Sequence, residues 1–84
     1  MGKIYAICTT LEAGYPCDQE KIKESGIKVG DKIELAHASV GSSHTDVWLI
    51  GYNNGCFNSV FFDYVDENGE KYDIYHDEYF RNYW

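Results

Sequence analysis

A few side chains in this 84-residue chain have types and spacing that could do chemistry. Gly41-Ser42-Ser43-His44-Thr45 puts three hydroxyls and an imidazole on a pliant backbone. Such a loop can turn several N–H and O–H donors toward one anion. Asn58 and Ser59 form a second polar patch, and Asp63 and Asp73 are positioned to oppose each other across a late hairpin, with Tyr75 beside them. Trp48 and Tyr52 offer ring faces on which a base could stack.

These groups do not assemble into a recognisable catalyst. Ser43 and His44 are neighbours, and neighbours on a strand point to opposite faces, whereas a triad is built by geometry. The chain contains no G-x-S-x-G elbow, and Val29-Gly30-Asp31-Lys32 lacks the glycine spacing and helix of a phosphate loop. Paired carboxylates could serve a glycosidase only in a cleft that grips a sugar, which so short a chain rarely supplies. Cys8, Cys17 and Cys56 form no C-x-x-C pair, nor do they combine with His37, His44 or His76 at zinc-ligand spacing. The expectation is a protein that is not an enzyme, with no metal and no cofactor. An odd number of cysteines and no signal peptide point to reduced thiols and a cytoplasmic setting.

The elements that must position these residues are short. Residues 3–9 alternate as a strand, with Ile4, Ala6 and Cys8 on one face. Gly14 and Pro16 break the chain, and Cys17 or Asp18 starts a polar surface helix through Ser25, which Gly26 stops. A second strand opens near Asp31 and a third covers 45–52. Asn53-Asn54-Gly55 reads as a tight hairpin, 56–65 as a fourth strand, 66–70 as an Asn-Gly turn and 71–75 as a fifth strand. Residues 76–84 form a helical turn and an aromatic tail. In that register Thr45 or Val47 lies near Phe61 or Val60, and Asn58 lies nearer Ile50. The two polar patches would then meet only through a bulge or a second subunit. The third and fourth strands are apolar on both faces, so something must cover both: the 10–26 segment, the tail, or another copy of the chain.

Together these elements predict a single domain over 1–84, mainly β with one short helix, as a five-stranded antiparallel barrel. "KVGDKIEL", the strands after it and "DENGEKYDIYHDEYF" resemble the layout of small SH3-like barrels found in short bacterial and phage accessory proteins. There a V-G-D turn opens the long strand and a D-x-x-G hairpin with a short helical turn closes the barrel. The resemblance spans roughly 28–80; the 10–26 segment is long for the family's first loop.

Charge narrows the partners. The net charge is −7, and residues 41–84 carry most of it, with eight acids and two bases. That balance opposes direct nucleic-acid binding. No apolar run is long enough to span a membrane. Eight tyrosines in so small a domain must partly reach the surface. The resemblance and the charge imply an accessory or inhibitor protein that docks its acidic, tyrosine-rich surface on a larger basic protein, such as a nucleic-acid-binding or defence protein. The alternative is an oligomeric sponge for a nucleotide or other small anion, held by Ser42–Thr45 and aromatic rings. Self-assembly into a homo-oligomer is a third possibility.

Overall fold

A computed structural model describes residues 2–53 and 55–81. Asn54 of the expected hairpin and Tyr83 and Trp84 of the aromatic tail lie outside the described residues. Five antiparallel strands and one short helix make the fold: β1 (Ile4–Cys8), α1 (Pro16–Ser25), β2 (Lys32–Val40), β3 (Thr45–Leu49), β4 (Phe57–Asn58) and β5 (Phe62–Asp66). The sheet order is β4-β3-β2-β1-β5.

The alternation in β1 works as read: Ile4, Ala6 and Cys8 are buried and Tyr5 and Ile7 half-buried. α1 begins one residue earlier than expected, because Pro16 takes the first helical position, where its missing N–H costs nothing. The Asp18 carboxylate accepts the Tyr15 N–H at 3.1 Å and so caps the first turn. Gly26, at φ 86°, ends the helix in the left-handed region that glycine enters without a Cβ penalty. Ile22 is the residue α1 buries. The turn before β2 is tied to β1, with Gly30 N–H donating to the Cys8 carbonyl (2.8 Å) and Cys8 N–H to the Asp31 carbonyl (2.9 Å).

β2 is long enough to serve two neighbours. Its first half pairs with β1 (Tyr5 with Glu34) and its second with β3 (Val40 with Thr45), with an irregularity between Leu35 and His37 where the strand bends.

The expected fourth strand is two strands, a correction with consequences. Within 56–65, β4 stops at Asn58, whose side-chain oxygen accepts the Val60 N–H at 3.2 Å and starts a 3-10 turn over Ser59–Phe61. β5 then pairs with β1, from Ile4–Asp66 to Cys8–Phe62. In a flat sheet the two edge strands would stand ~19 Å apart, at ~4.8 Å per strand. The four links from Asn58 to Phe62 span at most ~14 Å when fully stretched, and the 3-10 turn shortens them further. The sheet must therefore curl until its edges approach.

The expected fifth strand, 71–75, is also corrected. Lys71 makes one bridge to Val65 and the Tyr72 N–H bonds the Tyr64 carbonyl at 2.8 Å, but Asp73 then accepts the Tyr75 N–H (3.0 Å) and opens a second 3-10 turn, Ile74–His76. Inside the curl lie Phe57, Phe61, Val47 and Ile74, with Ile22 and Ile27 from the helical segment. The chain after Asp77 returns along β2: Phe80 is buried, and its carbonyl accepts the Val40 N–H at 2.8 Å. The helix and this returning segment thus supply part of the cover that the two apolar sheet faces require.

Candidate functional site

The loop Gly41–His44 is a four-residue connection closed by Gly41 N–H donating to the His44 carbonyl (2.9 Å). Ser42, Ser43 and His44 are exposed on it, while Thr45, the first residue of β3, is buried. His44 Nε2 lies 2.7 Å from Asp46 Oδ1.

The register of β3 with β4 decides what this loop faces. Asp46 pairs with Asn58 and Val47 with Phe57. The expected placement of Asn58 near Ile50 is wrong, because the connection 50–56 is longer than a tight hairpin; β3 ends at Leu49, and Gly51 (φ 92°) and Gly55 (φ 104°) turn the chain on either side of Tyr52 and Asn53. Asn58 and Ser59 therefore reach the 41–45 loop within one chain. With Gly14, Tyr15, Val60 and Tyr75, they and Ser42, Ser43, His44 and Thr45 line an open cleft of about 610 Å³.

The floor of this cleft is held by bonds between its lining residues and the side chains next to them. Asn58 Nδ2 donates to Asp18 Oδ2 (3.1 Å), tying the start of α1 to the 3-10 turn. That bond, followed by the one from Tyr15 N–H, holds the Asp18 carboxyl below its ordinary pKa, so it stays ionised. Tyr75 Oη donates to Ser59 Oγ (3.1 Å), and Tyr64 Oη to the Ser59 carbonyl (3.0 Å). Burial pushes the Tyr64 phenol well above its usual pKa.

Asp63 and Asp73 lie in a second cleft of about 570 Å³, with Phe62, Tyr64, Lys71, Tyr72 and again Tyr75. Asp73 Oδ2 lies 2.5 Å from His76 Nδ1, the main reason its carboxyl is held low. Tyr72 donates its hydroxyl to Asp77, and this bond is the leading cause of its raised pKa.

Trp48 and Tyr52 stand apart from both. They line a third hollow of about 510 Å³ with Ile50 and Gly51. A base stacked on them would not share a cleft with the hydroxyl loop. Trp48 is half-buried, its ring 5.5 Å from that of His37.

Sequence reasoning missed Tyr15, Val60, Lys71 and Tyr72 as lining residues. Tyr15, the extended residue before the helix-starting Pro16, is 70% exposed, and no local pattern pointed to it.

Among the described residues, no group of three or more His, Cys, Asp or Glu side chains could hold a metal ion, and no helix is long and apolar enough to cross a membrane. Cys8, Cys17 and Cys56 are free thiols. Neither a curated protein nor a solved structure matches the chain. A family model does, over residues 3–84, and the chain accordingly belongs to the phage family described as Bacteriophage T4 protein Y07B.

Proposed function

We propose that this phage-family chain is a non-enzymatic binding protein. In this reading it is an accessory or inhibitor protein that lays its acidic, tyrosine-rich second half on a basic surface of a larger protein, such as one that binds nucleic acid or serves defence. The curled strand order, with a three-residue turn joining the two edges, is how we read a small SH3-like barrel. The observation that carries the proposal is the surface from β5 to residue 79. Asp63, Glu67, Glu70, Asp73 and Glu78 are all exposed there, beside the exposed rings of Tyr75 and Tyr79. Asp63, Glu67, Glu70 and Glu78 enter none of the ion pairs formed among the described residues. Unpaired carboxylates beside amphipathic rings favour a cationic partner, and exposed tyrosines add contact area at low entropic cost.

The test is capture from a host lysate at 50 and 500 mM salt, using the wild-type chain and a variant with Asp63, Glu67, Glu70 and Asp73 converted to their amides. The expected result is a basic protein, identified by mass spectrometry, that is held at low salt only and lost by the variant. At 500 mM salt the Debye length is well under 10 Å. Equal capture by both chains at both salt concentrations refutes the reading.

One observation favours a second reading. The register that brings Asn58 and Ser59 to Ser42–Thr45 makes, from one chain, a cleft large enough for a small polar ligand such as a nucleotide. A thermal-shift screen with nucleotides tests it. A specific ligand at a hundred times its Kd adds about 2.7 kcal/mol of stability, and no shift with any nucleotide rejects the reading.

A further inference from the structure

Tyr75 is a wall of both larger clefts. The two therefore adjoin at Tyr75, with Gly14, Tyr15, the 41–45 loop and Val60 on one side of it and Asp63 and Lys71 on the other. The dividing wall is firmly founded. Tyr75 stands on the 3-10 turn whose Ile74 is fully buried, its hydroxyl is bonded to Ser59 and its ring meets the edge of Tyr64 with centroids 6.4 Å apart. We infer that the two adjoining clefts act as one groove, crossed over Tyr75, and receive an extended, lysine- or arginine-bearing segment of the partner protein. The inference rests on the docking reading above and narrows it from a surface to a track.

Charge argues for the occupant. Asp63 and Asp73 line one end, while Asp46 and Asp18 sit against the lip and floor of the other, bonded to His44 and Asn58. Against these four carboxylates stand Lys71 on the lining and Lys21 near Asp18, with the His44 and His76 rings bonded to Asp46 and Asp73; with the imidazoles neutral the acids still outnumber the lysines, so a cationic chain is attracted and a phosphate-bearing one repelled. Shape argues the same way. Both clefts are open rather than enclosed, and the body measures 31 × 30 × 20 Å. At ~3.3 Å per residue, a strand crossing it spends about six to nine residues on the surface. The side chains along the track suit cationic residues: Tyr15 is 70% exposed, Tyr75 39% and Val60 48%. Tyrosine faces attract ammonium and guanidinium groups, and the aliphatic stems of lysine and arginine pack on valine. At the Asp63 end the segment is read by its side chains, because the outer edge of β5 is already taken by Tyr72 and Lys71.

The test is panning of a randomised nine-residue peptide library on the intact chain, followed by fluorescence anisotropy of the enriched peptides. Enrichment of lysine- and arginine-rich peptides is expected. Their affinity should fall at least tenfold in Tyr15→Ala, which removes an exposed ring, and in Tyr75→Ala and Asp63→Asn, with thermal melts reporting the fold. Tyr75→Phe, which keeps the ring, should retain binding. Enrichment of neutral or acidic peptides, no enrichment, or basic peptides that bind Tyr15→Ala and Asp63→Asn undiminished would each overturn the inference. If the panning fails while the four-amide variant still abolishes salt-sensitive capture of a basic protein, the groove is wrong and the docking reading survives. If that capture is also unaffected by salt and charge, both fall.

Discussion

Replacing Asn58 by alanine tests how the cleft floor is tied to the helix. The side chain is buried and makes two bonds, Nδ2 to Asp18 Oδ2 at 3.1 Å and Oδ1 from Val60 N–H at 3.2 Å. A hydrogen bond to a charged group contributes about 1.5–3 kcal/mol and a neutral one about 0.5–1.5. Asp18 is partly open to water, which takes up some of its lost bonding, so the lower end applies: a total loss of about 2 kcal/mol. For a domain of this size that lowers Tm by about 8–16 °C. The sign of the pH dependence follows from Asp18. Its folded-state pKa is depressed, with the Asn58 bond the leading cause, so this stabilisation is fully present above the unfolded value of ~3.9 and is lost as pH falls through the folded value. Urea unfolding of wild type, Asn58→Ala, Asp18→Asn and the double variant at pH 7 and pH 3 measures both effects. The gap between wild type and Asn58→Ala should narrow at pH 3, and Asp18→Asn, whose amide oxygen still accepts the bond but without the charge, should remove part of it at pH 7. A loss below ~0.5 kcal/mol at pH 7, or one unchanged in the Asp18→Asn background, refutes the reasoning.

Phe61→Ala removes a fully buried ring and should cost about 3–5 kcal/mol, whereas Trp48→Ala, at a half-buried ring, should cost no more than about 2; equal losses in urea titrations would contradict the placement of Trp48. In Gly41→Ala the new Cβ would stand 2.6 Å from the His44 carbonyl oxygen, so the loop must re-form at a cost of about 1–3 kcal/mol. Amide chemical-shift changes should then concentrate on residues 40–46, and an unperturbed spectrum would be contrary. Ser43→Ala and His44→Ala change exposed side chains and should leave stability within about 0.5 kcal/mol, measured by thermal melts; unfolding by either would make them structural.

Much of the frame was legible because it rests on local chemistry. The period-two pattern of Ile4, Ala6 and Cys8, the glycine stop at Gly26, the Val29-Gly30-Asp31 turn and the turn at 66–69 are each decided within a few residues. Both misplaced strands failed for one reason. In 56–65 and in 71–75 an Asn or Asp side chain accepts the backbone N–H two residues on, at Asn58 and at Asp73, and replaces a ladder bond by a turn. Apolar, β-favouring neighbours such as Val60, Phe61 and Ile74 hid this, since periodicity alone cannot distinguish a strand from a buried turn. The meeting of Asn58 with the 41–45 loop was illegible for a further reason: it depends on the length of the 50–56 connection, where Asn53, Asn54 and Gly55 mimic a tight hairpin.

β1 is flanked on both sides, by β2 and by β5, yet Ile4 finds its partner Asp66 only after most of the chain has been made. At ~5–20 residues per second a ribosome takes several seconds to deliver that partner. Until then the nascent chain carries its first strand with one side open, and the final closure joins distant segments, a step whose entropy cost slows folding.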